Sequence, residues 1–195
     1  MRTASIIINA VMFLTTLTII ISYFRKDGQW QIESGLVRFR FFTTISNAFC
    51  AIAALMMAVS QISGSVSPFV LHMKYLGTVS VTVTFLTVFL LLIPFKGGFK
   101  KWLSGGNLYM HLIGPLLAIL SFCILEKQRM SFGTAITGAL PMLLYGVVYL
   151  YKVIFAPEDK RWEDVYGFNR GGKWPVSFAL MIAVTLAVCV LFWLI

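Results

Sequence analysis

The stretch PVSFALMIAVTLAVCVLFWLI, Pro175 to Ile195, contains no charged residue. Wound as an α-helix at 1.5 Å per residue it reaches about 30 Å, the thickness of a bilayer's hydrocarbon core. Five further runs have the same character: Ser5–Phe24, Phe41–Ser60, Met73–Ile93, Asn107–Leu125 and Ser131–Tyr151. None shows the two-residue alternation of a barrel strand, and an open sheet edge cannot face lipid, so helices are the expected form. The chain reads as an all-α, polytopic membrane protein: one six-helix transmembrane domain over residues 1–195.

Composition agrees. Hydrophobic residues make up 59% of the 195 and charged residues only 12%, where a soluble domain is nearer half apolar and about a quarter charged. The first run follows Met1-Arg2, as a signal peptide would, but ends at Ser22-Tyr23-Phe24-Arg25-Lys26 with no small-x-small cleavage site. It is expected to be a retained helix. Gly97-Gly98, Gly105-Gly106 and Gly171-Gly172-Lys173-Trp174-Pro175 mark turns between helices.

A net charge of +9 could suggest nucleic acid in a soluble protein. Here the basic residues lie in short loops with no soluble surface to form a groove, so nucleic acid is excluded as a partner. The first, third and fifth loops hold Arg25, Lys26, Arg38, Arg40, Lys96, Lys100, Lys101, Lys152, Lys160, Arg161, Arg170 and Lys173; the other face holds Arg2, Lys74, Lys127 and Arg129. The excess places the odd-numbered loops in the cytoplasm by the positive-inside rule, and a bacterial plasma membrane is the expected location. Cys50, Cys123 and Cys189 fall within apolar runs without paired spacing and read as small buried hydrophobes. No metal-ligand cluster or cofactor motif is present in the sequence, and oligomeric state is not legible.

Asp, Glu, Lys and Arg are absent from the interiors of the six runs as bounded above; His72 and Lys74, opening the third, read as interfacial. His111 stands about one turn inside the fourth run. An imidazole at depth is a candidate functional group, against the plainer reading of a neutral hydrogen-bonded histidine. Asn107, four residues earlier, is expected to hold one ring nitrogen; Gly114 and Pro115 thin and break the helix beyond it. On the second run, Thr43, Asn47, Cys50 and Ala54 share one face, bordered by Ser46. Such a small, polar stripe faces other helices, as glue or as a site. Thr43 and His111 both lie near the odd-loop face, and a hydroxyl beside an imidazole is the minimum of a nucleophile–base pair. Asn47 and Tyr145 are candidate hydrogen-bond donors, while Trp162, Tyr166, Phe168 and Trp174 are expected at headgroup level, as a belt or a lid. The acidic and basic residues of 158–164 read mainly as a solvated segment.

Phe42-Thr43-Thr44-Ile45-Ser46-Asn47 together with Met110-His111-Leu112-Ile113-Gly114-Pro115 resembles the androgen-induced and androgen-dependent transmembrane proteins and their bacterial relatives. The resemblance covers the chain in helix number and order; its specific content is those two motifs. It implies six helices and an intramembrane threonine hydrolase acting on fatty-acid esters of hydroxy fatty acids, with Thr43 as nucleophile and His111 as base; by their spacing and depth, Ser46, Asn47, Asn107, Tyr145 and Trp174 are the residues expected near the substrate. Some family members carry a Tyr-Pro-Phe-Leu-Asp-like stretch before the last helix; this chain reads Trp162-Glu163-Asp164-Val165-Tyr166-Gly167-Phe168-Asn169 there. The alternatives are a small transporter or facilitator of a hydrophobic molecule, and a non-catalytic lipid-binding subunit.

Overall fold

The computed structural model describes residues 1–126 and 129–195; Lys127, counted above toward sidedness, lies outside them. Among the described residues six helices are long and apolar enough to cross a membrane: Arg2–Tyr23, Phe42–Ser63, Pro68–Phe95, Gly106–Glu126, Phe132–Phe155 and Trp174–Leu194. The chain is an integral, multi-pass membrane protein built as an all-α bundle. These helices are called the first to sixth spans.

The third span is the longest, at 28 residues, or about 42 Å of helix. It is also the centre of the bundle: 61% of its most apolar stretch is buried, against 22% for the first and sixth spans. Close approach is made possible by small residues. A Cβ at Gly77 would stand 2.9 Å from the Cα of Cys50 and 3.5 Å from Ala53. The predicted small stripe of the second span thus faces the third, with Cys50, Ala53, Ala54 and Met57 all buried. In lipid, where apolar surface alone gives no drive to associate, such backbone proximity is a main source of helix affinity.

Three prolines set local departures from α geometry. Pro94, Pro115 and Pro141 lack the N–H that would bond the carbonyl four residues earlier, at Leu90, His111 and Thr137. Those residues lie in the π turns Val88–Leu92 and Tyr109–Ile113 and the 3-10 turn Thr137–Ala139.

The first loop is a tight hairpin, Arg25–Lys26 paired with Gln29–Trp30. It turns at Asp27 and Gly28, whose φ values of 53° and 79° belong to the left-handed region where glycine is favoured. A short helix, Ile32–Arg38, follows. The fifth loop folds back onto the bundle. Asp164 accepts hydrogen bonds from Phe168 N (2.7 Å), Asn169 N (2.8 Å) and the Tyr149 hydroxyl (3.1 Å). Tyr166 and Phe168 pack edge-on against Tyr149, at centroid distances of 5.2 and 5.8 Å. Asp164 is therefore a fastener of the loop, where the sequence reading had counted it with a solvated segment.

The largest correction concerns charge. Lys74 and Glu126 have side chains with 0% exposure and form an ion pair at 3.6 Å. The sequence reading put Lys74 at the interface and left Glu126 outside the fourth helix. Hydropathy set those limits, whereas the backbone follows its caps. Ser67 accepts from Val70 N at 3.3 Å, with Pro68 in the first turn, so the third span starts before Met73 and Lys74 falls in its second turn.

Candidate functional site

Thr43 occupies the first turn of the second span, which begins at Phe42 after the extended residue Phe41. The first amides of a helix have no intrahelical acceptor. Here Phe42 N–H donates to the Tyr166 hydroxyl at 3.1 Å, and the Thr43 amide and side chain lie against the same phenol oxygen. Burial pushes the Tyr166 phenol up from its ordinary value, opposed by these hydrogen bonds and one to Tyr145. It is therefore the neutral phenol at physiological pH.

A cavity of about 400 Å³ opens beside Thr43. Its walls come from the third, fifth and sixth spans, with Val83, Leu92, Met142, Met181 and Val184 among them. Leu90 and Leu180 also line it and are more than half exposed on the bundle's perimeter, so the space reaches the lipid-facing side. Thr43, Tyr145, Tyr149 and Tyr166 are among its polar-bearing lining residues. An apolar trough ending in a few polar groups is the usual form of a ligand site.

His111 is buried in the π turn of the fourth span. Its Nδ1 donates to the Trp102 carbonyl at 2.7 Å, with the Trp102 ring 6.1 Å away. In a neutral imidazole this leaves Nε2 with the lone pair, the form a general base requires. The partner expected from the sequence, Asn107, does not fill this role. The ring nitrogen is taken instead by the carbonyl of Trp102, at the end of the short helix Gly98–Trp102 in the third loop.

Asn47 joins the two motifs. Its Nδ2 donates to the Thr43 carbonyl at 2.9 Å and across the bundle to the carbonyl of Met110, the neighbour of His111, at 3.0 Å. Asn47 and His111 are not among the residues lining the cavity, although both were expected at its polar end. Among the described residues no hydrogen bond joins Thr43 directly to His111. Ser46 bonds Thr84 Oγ1 at 2.8 Å and ties the second span to the third. Tyr145 lines the cavity, but its hydroxyl donates to the Arg40 carbonyl at 2.8 Å and so is occupied structurally. Trp174 packs edge-on against Phe155 at 5.9 Å, away from the cavity lining.

The residue sequence reasoning undervalued is Tyr166, which it placed in an interfacial belt. The contact with Phe42 spans 124 residues, and no local periodicity encodes it. Among the described residues no group of three His, Cys, Asp or Glu side chains is placed to hold a metal ion. Comparison with known proteins gives no matching family model, no matching curated protein and no matching solved structure.

Proposed function

We propose that the chain hydrolyses long-chain fatty-acid esters within the membrane, with Thr43 as nucleophile and His111 as base. The observation that carries this reading is the placement of the Thr43 hydroxyl at a helix N-terminus, on the edge of an apolar cavity that reaches lipid. The motif resemblance supplies the substrate class, an ester of a fatty acid with a hydroxy fatty acid. The acyl chain lies in the cavity and its carbonyl carbon meets Thr43 Oγ1. The Thr43 proton passes through a bridging water to His111 Nε2, since no direct hydrogen bond joins the pair at rest. The amides of Phe42 and Thr43 hold the carbonyl oxygen as it gains charge. Collapse breaks the ester C–O bond, and His111 returns the proton to the departing hydroxy fatty acid. Water then attacks the acyl-Thr43 ester, gives a proton to His111, and releases the fatty acid as Thr43 regains its hydrogen.

The Tyr166 oxygen now rests where that carbonyl oxygen would sit, and substrate displaces it. Tyr166→Phe removes a competitor worth about one hydrogen bond, so KM is expected to fall about three- to ten-fold with kcat within about two-fold. Steady-state kinetics on the purified protein check this. A collapsed kcat with unchanged KM would instead make the phenol a donor in the transition state.

The same reading places the odd-loop face in the cytoplasm of a bacterial cell, because the basic residues concentrate there. Cysteines introduced at Lys100 and Ser65 are expected to react with impermeant maleimide from opposite sides. Reaction of both from one side would overturn this topology. A second reading, a facilitator of lipid movement, draws on the buried Lys74–Glu126 pair, because charges inside spans commonly serve transport. Lipid flux in proteoliposomes that persists in Thr43→Ala and His111→Ala, without ester turnover, would favour it.

A further inference from the structure

We propose that Lys96 is a specificity-determining residue of the cavity at Thr43, binding a carboxylate carried by the alcohol half of the ester. The inference deepens the hydrolase reading and rests on it in calling the ligand an ester; the preference for an anionic ligand rests on the cavity alone.

The polar end of the cavity continues past Thr43 to the fifth loop. Ser46, one turn deeper on the second span, meets Thr84 at 2.8 Å, and the Phe42 ring lies 5.0 Å from that of Tyr145. Deeper lining residues include Val83, Met142 and Val184, while Leu92, Tyr149, Gly167 and Phe168 line the part toward the loop. From Val83 to Leu92 the third span rises about 14 Å. An ester carbonyl at Thr43 therefore has wall on both sides. The acyl chain takes the deep, apolar half, and the alcohol half points at the loop.

No charged residue lines the cavity, but a cation stands at its loop end. Lys96 follows the lining residue Leu92 by one helical turn, its amide donating to the Leu92 carbonyl at 2.9 Å. Its side chain reaches over Gly167, another lining residue: a Cβ built there would lie 3.8 Å from Lys96 Cε and 3.9 Å from Nζ. Lys96 is exposed, and among the described residues its ammonium has no hydrogen bond or ion pair. Asp164, bonded to Tyr149 at the same wall, has its carboxylate taken by three other donors and does not pair with Lys96. An uncharged trough with a free ammonium at its rim suits an amphiphile with one anionic end. In the proposed substrate that end is the carboxylate of the hydroxy acid, and the flexible lysine stem lets the ammonium follow it. The charge also fixes which way round the ester lies. Reversal would put the carboxylate among Val83, Met142 and Val184, where a charge without a partner is costly.

The test uses the purified full chain in a neutral detergent with a ligand that cannot be hydrolysed: a hexadecyl ether of hydroxystearic acid, as the free acid and as its methyl ester. Binding is read by native mass spectrometry at mildly alkaline pH, where the acid is ionised. The acid is expected to bind about five-fold tighter than the methyl ester, the scale of an exposed ion pair, and the margin should shrink as salt is raised. Lys96→Gln should abolish the margin and Lys96→Arg should keep it. Lys26→Gln, which removes the same charge from the first-loop hairpin, should leave it unchanged. Comparing variants on one pair of ligands cancels their different partition into micelles. Because the ether is not cleaved, absent turnover of the corresponding ester would count against the hydrolase reading alone. Equal binding of acid and methyl ester by the wild type, a margin that survives Lys96→Gln, or one that Lys26→Gln removes as well, would overturn the proposal.

Discussion

Thr43→Ala is expected to lower ester turnover by about 10³-fold or more, and His111→Ala by a similar factor, with the double variant little worse than either. The non-additivity follows from the roles. A threonine hydroxyl is a poor nucleophile until its proton is taken, and an imidazole without that hydroxyl has nothing to activate. Both variants should fold. Thr43 is only partly buried, and the anchoring bond of Asn47 goes to the backbone carbonyl of residue 43, which alanine keeps. His111→Ala gives up one hydrogen bond to Trp102 and leaves a small cavity. Rates on a fatty-acid ester of a hydroxy fatty acid, set beside thermal midpoints, separate lost chemistry from lost fold. Either variant retaining more than about a tenth of wild-type turnover would remove that residue from the mechanism.

The second large effect is on stability. Glu126→Ala leaves the Lys74 ammonium buried beside donors from Ser5, Asn9 and Ser121 that have lost their acceptor. Removing one partner of a buried ion pair costs about 3–5 kcal/mol, because the remaining charge is uncompensated. The cluster spans the bundle: the first span supplies Ser5 and Asn9, the third Lys74, the fourth Ser121 and Glu126. Gln61 of the second joins through Ser5 Oγ at 2.9 Å. Glu126→Ala and Lys74→Ala should each lower the unfolding midpoint in detergent strongly. The pair Lys74→Met with Glu126→Gln should recover most of the loss, since no charge is then stranded. A wild-type midpoint in Glu126→Ala would mean that the pair holds nothing together.

The spans were legible because hydropathy over about 20 residues is a strong signal and lipid admits few other folds. The small stripe of the second span was legible too, since i, i+4 and i+7 positions keep their face along a regular helix. What failed was the exact register of helix ends. Ser67-Pro68 is a sound start signal, yet an apolar count begins later, and that difference decides whether Lys74 is a surface or a buried residue. At His111 the position was readable but its partner was not. The ring bonds the carbonyl of Trp102, which the third loop brings against the fourth span, in place of Asn107, and no helical spacing encodes that loop contact. Tyr166 was beyond reach for another reason. It meets Phe42 only because Asp164 and Tyr149 fold the fifth loop back, and contacts across so much chain leave no trace in spacing.

The central claim is that Thr43 is a nucleophile at the polar end of a lipid-facing cavity. A long-chain alkyl fluorophosphonate, whose phosphorus mimics the acyl carbon under attack, tests it in one step. After incubation with the purified protein, peptide mass spectrometry should find the phosphonyl group on Thr43, and His111→Ala should suppress the labelling. No adduct under conditions where the protein turns over ester, or an adduct on another residue that persists in Thr43→Ala, would contradict the account.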